Sequence, residues 1–456
     1  MTLDLLIHNG TILTCNPAFE IIAAGWVGVR GGRIAAVGRA QGLPPPDARE
    51  VIDARGGIVM PGLVNTHTHL PMTLFRGLAD DLPLMAWLNE HIFPAERAVV
   101  TPDSVRWGTR LACAEMALAG TTTCCDGYFH EEAVAEAVQE VGLRAIVGQG
   151  VIDFPAPGVP DPAANITAAR AFADAWLGRT GTVAPSVFCH SPLTCSEQTL
   201  AAAKQLCTER GLLFQVHVAE TRGEREQVQA AQGLPPVGWL DRIGLLDART
   251  LLVHCVWVDA EEIALIAARG AKVSHNPESN LKLGSGIAPV PAMRAAGIPV
   301  GLGTDGCASN NDLDLFAAMD LAAKLHKVHC LDPTVVSAED AIRMATSEGA
   351  RALGLEREIG SLEPGKQADL IVIDTRKPHL TPMHHPASAV VYAAGGADVQ
   401  TVLVAGKALV RNRRLLSIDI EADLHRVEAI RGRCRRERSA TARHPHSGIL
   451  WCCRCI

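Results

Sequence analysis

The sequence predicts an α/β protein: a (β/α)₈ TIM-like barrel with a small β-sandwich formed from both chain ends. Three observations carry that expectation. Eight strand-like stretches alternate with helix-like ones through the middle of the chain, the stretches are apolar on both faces as fully covered parallel strands are, and turn-punctuated β segments stand before and after them. The 456 residues are about three times a ~150-residue domain, while such a barrel alone takes roughly 250, so one large unit and one smaller one are expected.

Residues 1–58 are assigned to the first part of the sandwich, because LLIHNGTILT, WVGVRGGRIAAVG and VIDARGGIVMPG interleave apolar runs with Asn-Gly and Gly-Gly, the punctuation of hairpins. Residues 59–357 form the barrel, with strands expected at 57–67, 121–127, 144–153, 183–190, 212–218, 250–256, 272–276 and 298–305. Amphipathic segments such as SVRWGTRLACAEMALA, SEQTLAAAKQLCTERG and AEEIALIAARG separate them. A doubly wound sheet is disfavoured, since no G-x-G-x-x-G follows the first strand. Residues 358–415, containing IGSLEPGKQADLIVIDTR and VQTVLVAGKALVRN, return to the sandwich, and 416–456 are read as a C-terminal helix followed by a disordered, Arg-rich tail.

A net charge of −7 argues against a nucleic-acid partner, which calls for a basic field. No apolar run reaches the ~20 residues of a membrane span, and the N-terminus lacks a basic signal region, so a cytoplasmic location is expected. The 14 cysteines are scattered through apolar segments, where a thiol acts as a small hydrophobe rather than as part of a disulfide framework. The lone C-x-x-C, Cys452 to Cys455, has no second pair and does not read as a zinc knuckle.

The chemistry concentrates at strand ends. His67 and His69 are two apart at the end of the first barrel strand, and His190, His217, His254, His275 and Asp305 fall at the ends of strands four to eight. A barrel gathers its active site at that face. Any one histidine would more readily be a hydrogen-bonded core residue, but histidines at five strand ends with an Asp in G-T-D-G point to a metal site. Imidazoles with a carboxylate suit one divalent ion, zinc first and iron as the alternative.

The runs H-T-H at 67–69, H-V-A-E at 217–220, H-C at 254–255, S-H-N-P-E-S-N-L-K-L at 274–283 and G-T-D-G-C-A-S-N-N-D-L-D at 303–314 resemble the amidohydrolase superfamily. Within it the chain is similar to the 5-methylthioadenosine/S-adenosylhomocysteine deaminases, over about residues 3–412. The resemblance implies that His67, His69, His217 and Asp305 bind one metal, that Glu220 shuttles protons, and that His254 hydrogen-bonds the water the metal activates. It further implies that His190 contacts the purine and that Glu96, in F-P-A-E, reads the ribose hydroxyls. Trp87 would line the sugar or 5′-substituent side, although an aromatic at helix spacing is more often core, and Ser309 would add a hydrogen bond near the centre. The only lysine between His69 and His217 is Lys204, placed in a helix, so the carboxylated lysine of binuclear relatives has no candidate.

One departure bears on the substrate. Members that take S-adenosylhomocysteine bind its carboxylate with arginines after strand three, whereas Gln149 stands here, with no basic residue before Arg170. A neutral amide gives no bidentate charge-assisted contact, so an uncharged 5′-group is expected. The resemblance implies a small nucleoside substrate and a homo-oligomer, for which the chain shows no motif of its own. Guanine, cytosine and triazine hydrolases share H-x-H and the terminal Asp and form the rival reading. A catalytically inactive barrel with an assembly role would have lost a ligand or the shuttle acid, and neither is missing.

Overall fold

The computed structural model describes residues 2–40 and 46–443. Among the described residues seventeen strands form two sheets. β1 (Leu3–Leu13), β2 (Ile21–Arg30), β3 (Arg33–Arg39), β4 (Ala48–Asp53) and β5 (Ile58–Pro61) come from the start of the chain. The barrel follows with β6 (Leu63–Thr68), β7 (Thr121–Tyr128), β8 (Arg144–Val151), β9 (Val183–Cys189), β10 (Phe214–Val218), β11 (Thr250–His254), β12 (Lys272–His275) and β13 (Val300–Leu302). β14 (Leu370–Ile373), β15 (Val399–Val404), β16 (Lys407–Arg411) and β17 (Arg414–Leu415) return to the first sheet.

β6 to β13 are all parallel and pair in chain order, β13-β12-β11-β10-β9-β8-β7-β6, with helices between them. β6, β7, β8, β10 and β11 are buried at every residue. That is why they lack the one-in, one-out alternation of a half-covered strand. The Asn65 side chain and one backbone bond close the seam between β6 and β13. Asn65 Nδ2 donates to Thr304 Oγ1 at 2.7 Å, Thr304 N donates to Asn65 Oδ1 at 3.1 Å, and Asp305 N donates to the His67 carbonyl at 3.0 Å.

The other sheet is mixed and runs β17-β16-β15-β14-β5-β1-β2-β3, with β4 alongside β1. It curls round its own core, in which Leu5, Ile7, Val27, Val59, Val372 and Leu403 pack together. A buried ion pair joins it to the barrel. Arg144 on β8 donates from Nε to Asp369 Oδ2 at 2.8 Å and from Nη2 to Oδ1 at 3.2 Å, and Ala405 N adds a bond at 2.6 Å.

The expected strand at 57–67 is two strands. β5 pairs with β1 and β14 in the mixed sheet, and the chain crosses at Gly62 to begin the barrel with β6. A Cβ on Gly62 would lie 2.2 Å from Thr122 Oγ1, so the crossing needs glycine. Gly31-Gly32 makes the expected hairpin between β2 and β3. Asn9-Gly10 does not: it is a bulge inside β1, with Asn9 at φ +57° and the register shifting between Ile7 and Gly10. The final helix spans Ile420–Arg443 within the stretch read as helix and tail; residues 444–456, with the C-x-x-C and the end of the expected tail, lie outside the described residues. Among the described residues no helix is long and apolar enough to cross a membrane.

Candidate active site

The C-terminal ends of the barrel strands bring together His67, His69, His217, His254 and Asp305. His67 Nε2 lies 3.1 Å from His217 Nε2 and 3.5 Å from Asp305 Oδ1, and His69 Nε2 lies 3.3 Å from the same carboxylate oxygen. Two overlapping triads, His67–His69–His217 and His67–His254–Asp305, each have ligand atoms within 4.8 Å of one another. The donor chemistry fits a divalent ion. Burial lowers the His67 pKa to about 4 and pushes His217 well below its ordinary value, so both rings present neutral nitrogens. Burial alone would raise the Asp305 carboxyl, but the hydrogen bond to His67 and the nearby His67, His69 and His254 rings outweigh it and hold the group well below the ordinary carboxylate range. A divalent ion held there supplies a nucleophilic water at neutral pH.

Surrounding groups orient these side chains. His69 Nδ1 meets the Gly127 carbonyl at 2.5 Å, leaving Nε2 for the centre. Asp126 accepts from Thr68 Oγ1 at 2.8 Å and Leu70 N at 2.6 Å, holding the backbone on both sides of His69. Asp305 Oδ2 accepts from Ser279 Oγ at 2.7 Å, and His254 Nδ1 meets Asn280 Oδ1 at 2.8 Å. Ala219, His254, Cys255 and Asp305 all sit at positive φ, between +47° and +75°. Non-glycine residues adopt that region at a cost of about 1–3 kcal/mol each, which surrounding contacts must offset.

Glu220 faces the cluster. Its Oε2 is 3.7 Å from His254 Nε2, and Ser285 Oγ donates to Oε1 at 3.3 Å. Burial raises its pKa, with His254 opposing, so it keeps a proton more readily than an exposed glutamate. The Glu224 carboxylate accepts the backbone N–H groups of Ala219 and Glu220, each at 2.8 Å, and so fixes the turn that aims Glu220.

His190 closes one side, with its ring centroid 5.4 Å from that of His217 and Nδ1 bonded to Thr194 Oγ1 at 2.8 Å. Glu96 is buried and accepts the Tyr128 hydroxyl at 2.5 Å; burial, against that hydrogen bond, raises its pKa to about 7. Gln149 is buried near the end of β8, with Nε2 reaching only the neighbouring Gly150 carbonyl at 3.3 Å. Trp87 packs into the large hydrophobic core, and the Ser309 hydroxyl donates to the Gly306 carbonyl at 3.2 Å, one residue past Asp305. His275 does not join the ligand triads: its Nε2 faces His326 Nε2 at 3.3 Å. Lys204 sits in the helix Glu197–Arg210 and binds Asp247 and Thr250.

Sequence reasoning missed Tyr128, Glu224, Ser279 and Asn280. Glu224 had a signal, the T-x-x-E of Thr221 to Glu224 at a helix start. Ser279 and Asn280 lie in a run quoted above for its resemblance, without a role assigned.

Barrel, nitrogen-lined centre and poised acid together define a hydrolase. The amidohydrolase family model matches residues 58–409, and the chain belongs to that family. A 5-methylthioadenosine/S-adenosylhomocysteine deaminase of Syntrophobacter fumaroxidans is 47% identical, over 94% of this chain and 97% of the relative. A 5′-deoxyadenosine deaminase of Methanothermobacter thermautotrophicus is 44% identical, over 92% and 98%. Among solved structures, an adenosine deaminase from Xanthomonas campestris with bound Zn superposes with a TM-score of 0.93 at 39% identity, covering 95% of this chain and 99% of that one.

Proposed function

We propose that the chain hydrolyses the C6–amino bond of 5′-modified adenosines, releasing ammonia and the inosine analogue, with one zinc ion held by His67, His69, His217 and Asp305. The observation that carries the reading is the convergence of those four side chains with Glu220 facing them. The names of similar deaminases supply the substrate class, and the zinc-bearing Xanthomonas campestris structure supports the choice of zinc over iron.

Each residue then has a task. Asp305 accepts the proton of the attacking water. Glu220 gives a proton to N1, making C6 electrophilic. The proton that Asp305 took from the water then passes by way of Glu220 to the amino group, which leaves as ammonia as the C6–N bond breaks. Glu220 recovers its own proton from the C6 hydroxyl as the carbonyl forms; such proton transfer is worth roughly 10²–10⁴-fold. His254 orients the water, and His190 contacts the purine. Glu96, held by Tyr128, accepts the two ribose hydroxyl protons, with Trp87 and Ser309 shaping the pocket around the sugar and the carboxylate loop. Gln149 offers no cation to a carboxylate, which favours methylthio, hydrogen or hydroxyl as the 5′-group.

The test is ammonia release from a panel of 5′-substituted adenosines, S-adenosylhomocysteine and free bases, with zinc and iron reconstituted separately. Turnover should be highest with an uncharged 5′-substituent, and more efficient turnover of S-adenosylhomocysteine would overturn the inference from Gln149. Glu220→Gln should keep its metal and lose about 10²–10⁴ of turnover; near-normal turnover removes Glu220 from the reaction.

A further inference from the structure

The helix Pro277–Lys282 follows β12 and reaches three separate parts of the site. Ser279 Oγ donates to Asp305 Oδ2 at 2.7 Å, and Asn280 Oδ1 meets His254 Nδ1 at 2.8 Å. Lys282 Nζ donates to Asp80 Oδ1 and to Asn311 Oδ1, both at 2.6 Å. Asn311 belongs to the loop after Asp305 and stands at φ +87°, and its carbonyl accepts from Arg76. Asp80 lies in the segment that leaves β6 and leads through Trp87 to Glu96. One short helix therefore touches the carboxylate that faces the metal ligands and, separately, the segment bearing the proposed ribose reader.

We propose that Pro277–Lys282 is a positioning element with two separable outputs: Ser279 fixes the free oxygen of Asp305, and Lys282 pins the 76–96 segment against the loop after β13. This rests on the functional reading above for what Glu96 binds, but not for the contacts themselves. The argument for Ser279 is geometric. Asp305 Oδ1 is committed to the Gly306 N–H at 2.8 Å and faces His67 and His69. A hydroxyl donor on Oδ2 then sets the carboxylate plane and leaves Oδ2 with a defined remaining lone pair. Lys282 differs because its ion pair with Asp80 is partly exposed, with side-chain accessibilities of 23% and 35%. Such a pair adds little to global stability, so its effect is confined to the segment it holds.

The experiment compares Ser279→Ala and Lys282→Met in the full-length enzyme. It uses steady-state kinetics on whichever substrate the wild type turns over, the visible spectrum of the cobalt-substituted protein, and limited chymotrypsin digestion mapped to residues 76–96. For Ser279→Ala, kcat should fall roughly 10- to 150-fold, the cost of a hydrogen bond to a charged group, with KM unchanged and the cobalt bands shifted. For Lys282→Met, KM should rise about three- to fivefold with kcat and the cobalt spectrum unchanged, and cleavage in the segment should quicken. If both variants alter the same parameter, or Ser279→Ala leaves kcat and the cobalt bands untouched, the two-output proposal fails. Unchanged cleavage in Lys282→Met likewise overturns it. A wild type that acts on a free base or a triazine but on no adenosine sinks the functional reading alone, because the spectral and proteolytic comparisons need no nucleoside.

Discussion

Replacing Glu96 with Gln tests the proposed role of this carboxylate in reading the sugar. A carboxylate offers about four lone-pair positions, and the Tyr128 hydroxyl occupies one on Oε1. Three remain, enough for both hydroxyl protons of a ribose. Glutamine has a single oxygen, half used by Tyr128, so at least one hydroxyl loses its acceptor. A hydrogen bond to a charged group contributes about 1.5–3 kcal/mol, which converts to a loss of roughly 10- to 150-fold in kcat/KM. The assay measures kcat/KM for adenosine and for 2′-deoxyadenosine, with metal content as a control. Wild type should favour the riboside by tenfold or more, and the variant should bring the ratio close to one. The pH dependence has a definite sign. The Glu96 pKa is raised to about 7, so falling pH protonates it, removes an acceptor and raises KM below about pH 7; Glu96→Gln should lack that limb. Because the Tyr128 hydrogen bond lowers the Glu96 pKa, Tyr128→Phe should move the midpoint to higher pH. An unchanged riboside preference in Glu96→Gln, with metal retained, refutes the assignment.

Three other perturbations probe the frame around the site. Gly303→Ala places a Cβ 2.3 Å from Asn276 Oδ1 and 3.0 Å from His67 Cβ; a loss of about 1–3 kcal/mol in urea unfolding is expected, together with lower zinc occupancy by elemental analysis. Asp369→Ala leaves Arg144 buried without its bidentate partner, and should cost about 3–5 kcal/mol by chemical denaturation while leaving the metal site loaded. Stripping the metal with a chelator should lower the melting temperature, since an ion at a thousand times its Kd adds about 4.1 kcal/mol to the folded state; restoring zinc should reverse the change in a thermal scan.

What could be read in advance follows from how local each signal is. The barrel strands announce themselves because complete burial makes them continuous apolar runs. His67, His69, His217, Glu220, His254 and Asp305 stand out because they interrupt or end those runs with nitrogen and carboxylate groups. The split at Gly62 was hidden for the same reason: residues 58–61 and 63–68 are equally buried, and an apolar run does not record which sheet it joins. Asn9-Gly10 has the composition of a turn, but tertiary pairing with β2 on either side turned it into a bulge. Tyr128, Ser279 and Asn280 take their meaning from partners 26 or more positions away in the chain, and no window of sequence contains both members. His275 satisfied every local criterion for a ligand, and only the position of His326, on the helix Leu315–Cys330, shows where its ring faces.

Strand β5 lies in the middle of the mixed sheet, between β1 and β14. On the ribosome its two neighbours are not contemporaries. β1 has already emerged when β5 appears, but β14 comes only after the entire barrel has been made. At ~5–20 residues per second that interval is tens of seconds. Throughout it, one edge of an apolar strand stays open to mispairing. The late strands thus act as the seal on a seam opened at the beginning of translation, so truncation near the C-terminal end should expose nascent β5 to aggregation even when every residue of the catalytic cluster is present.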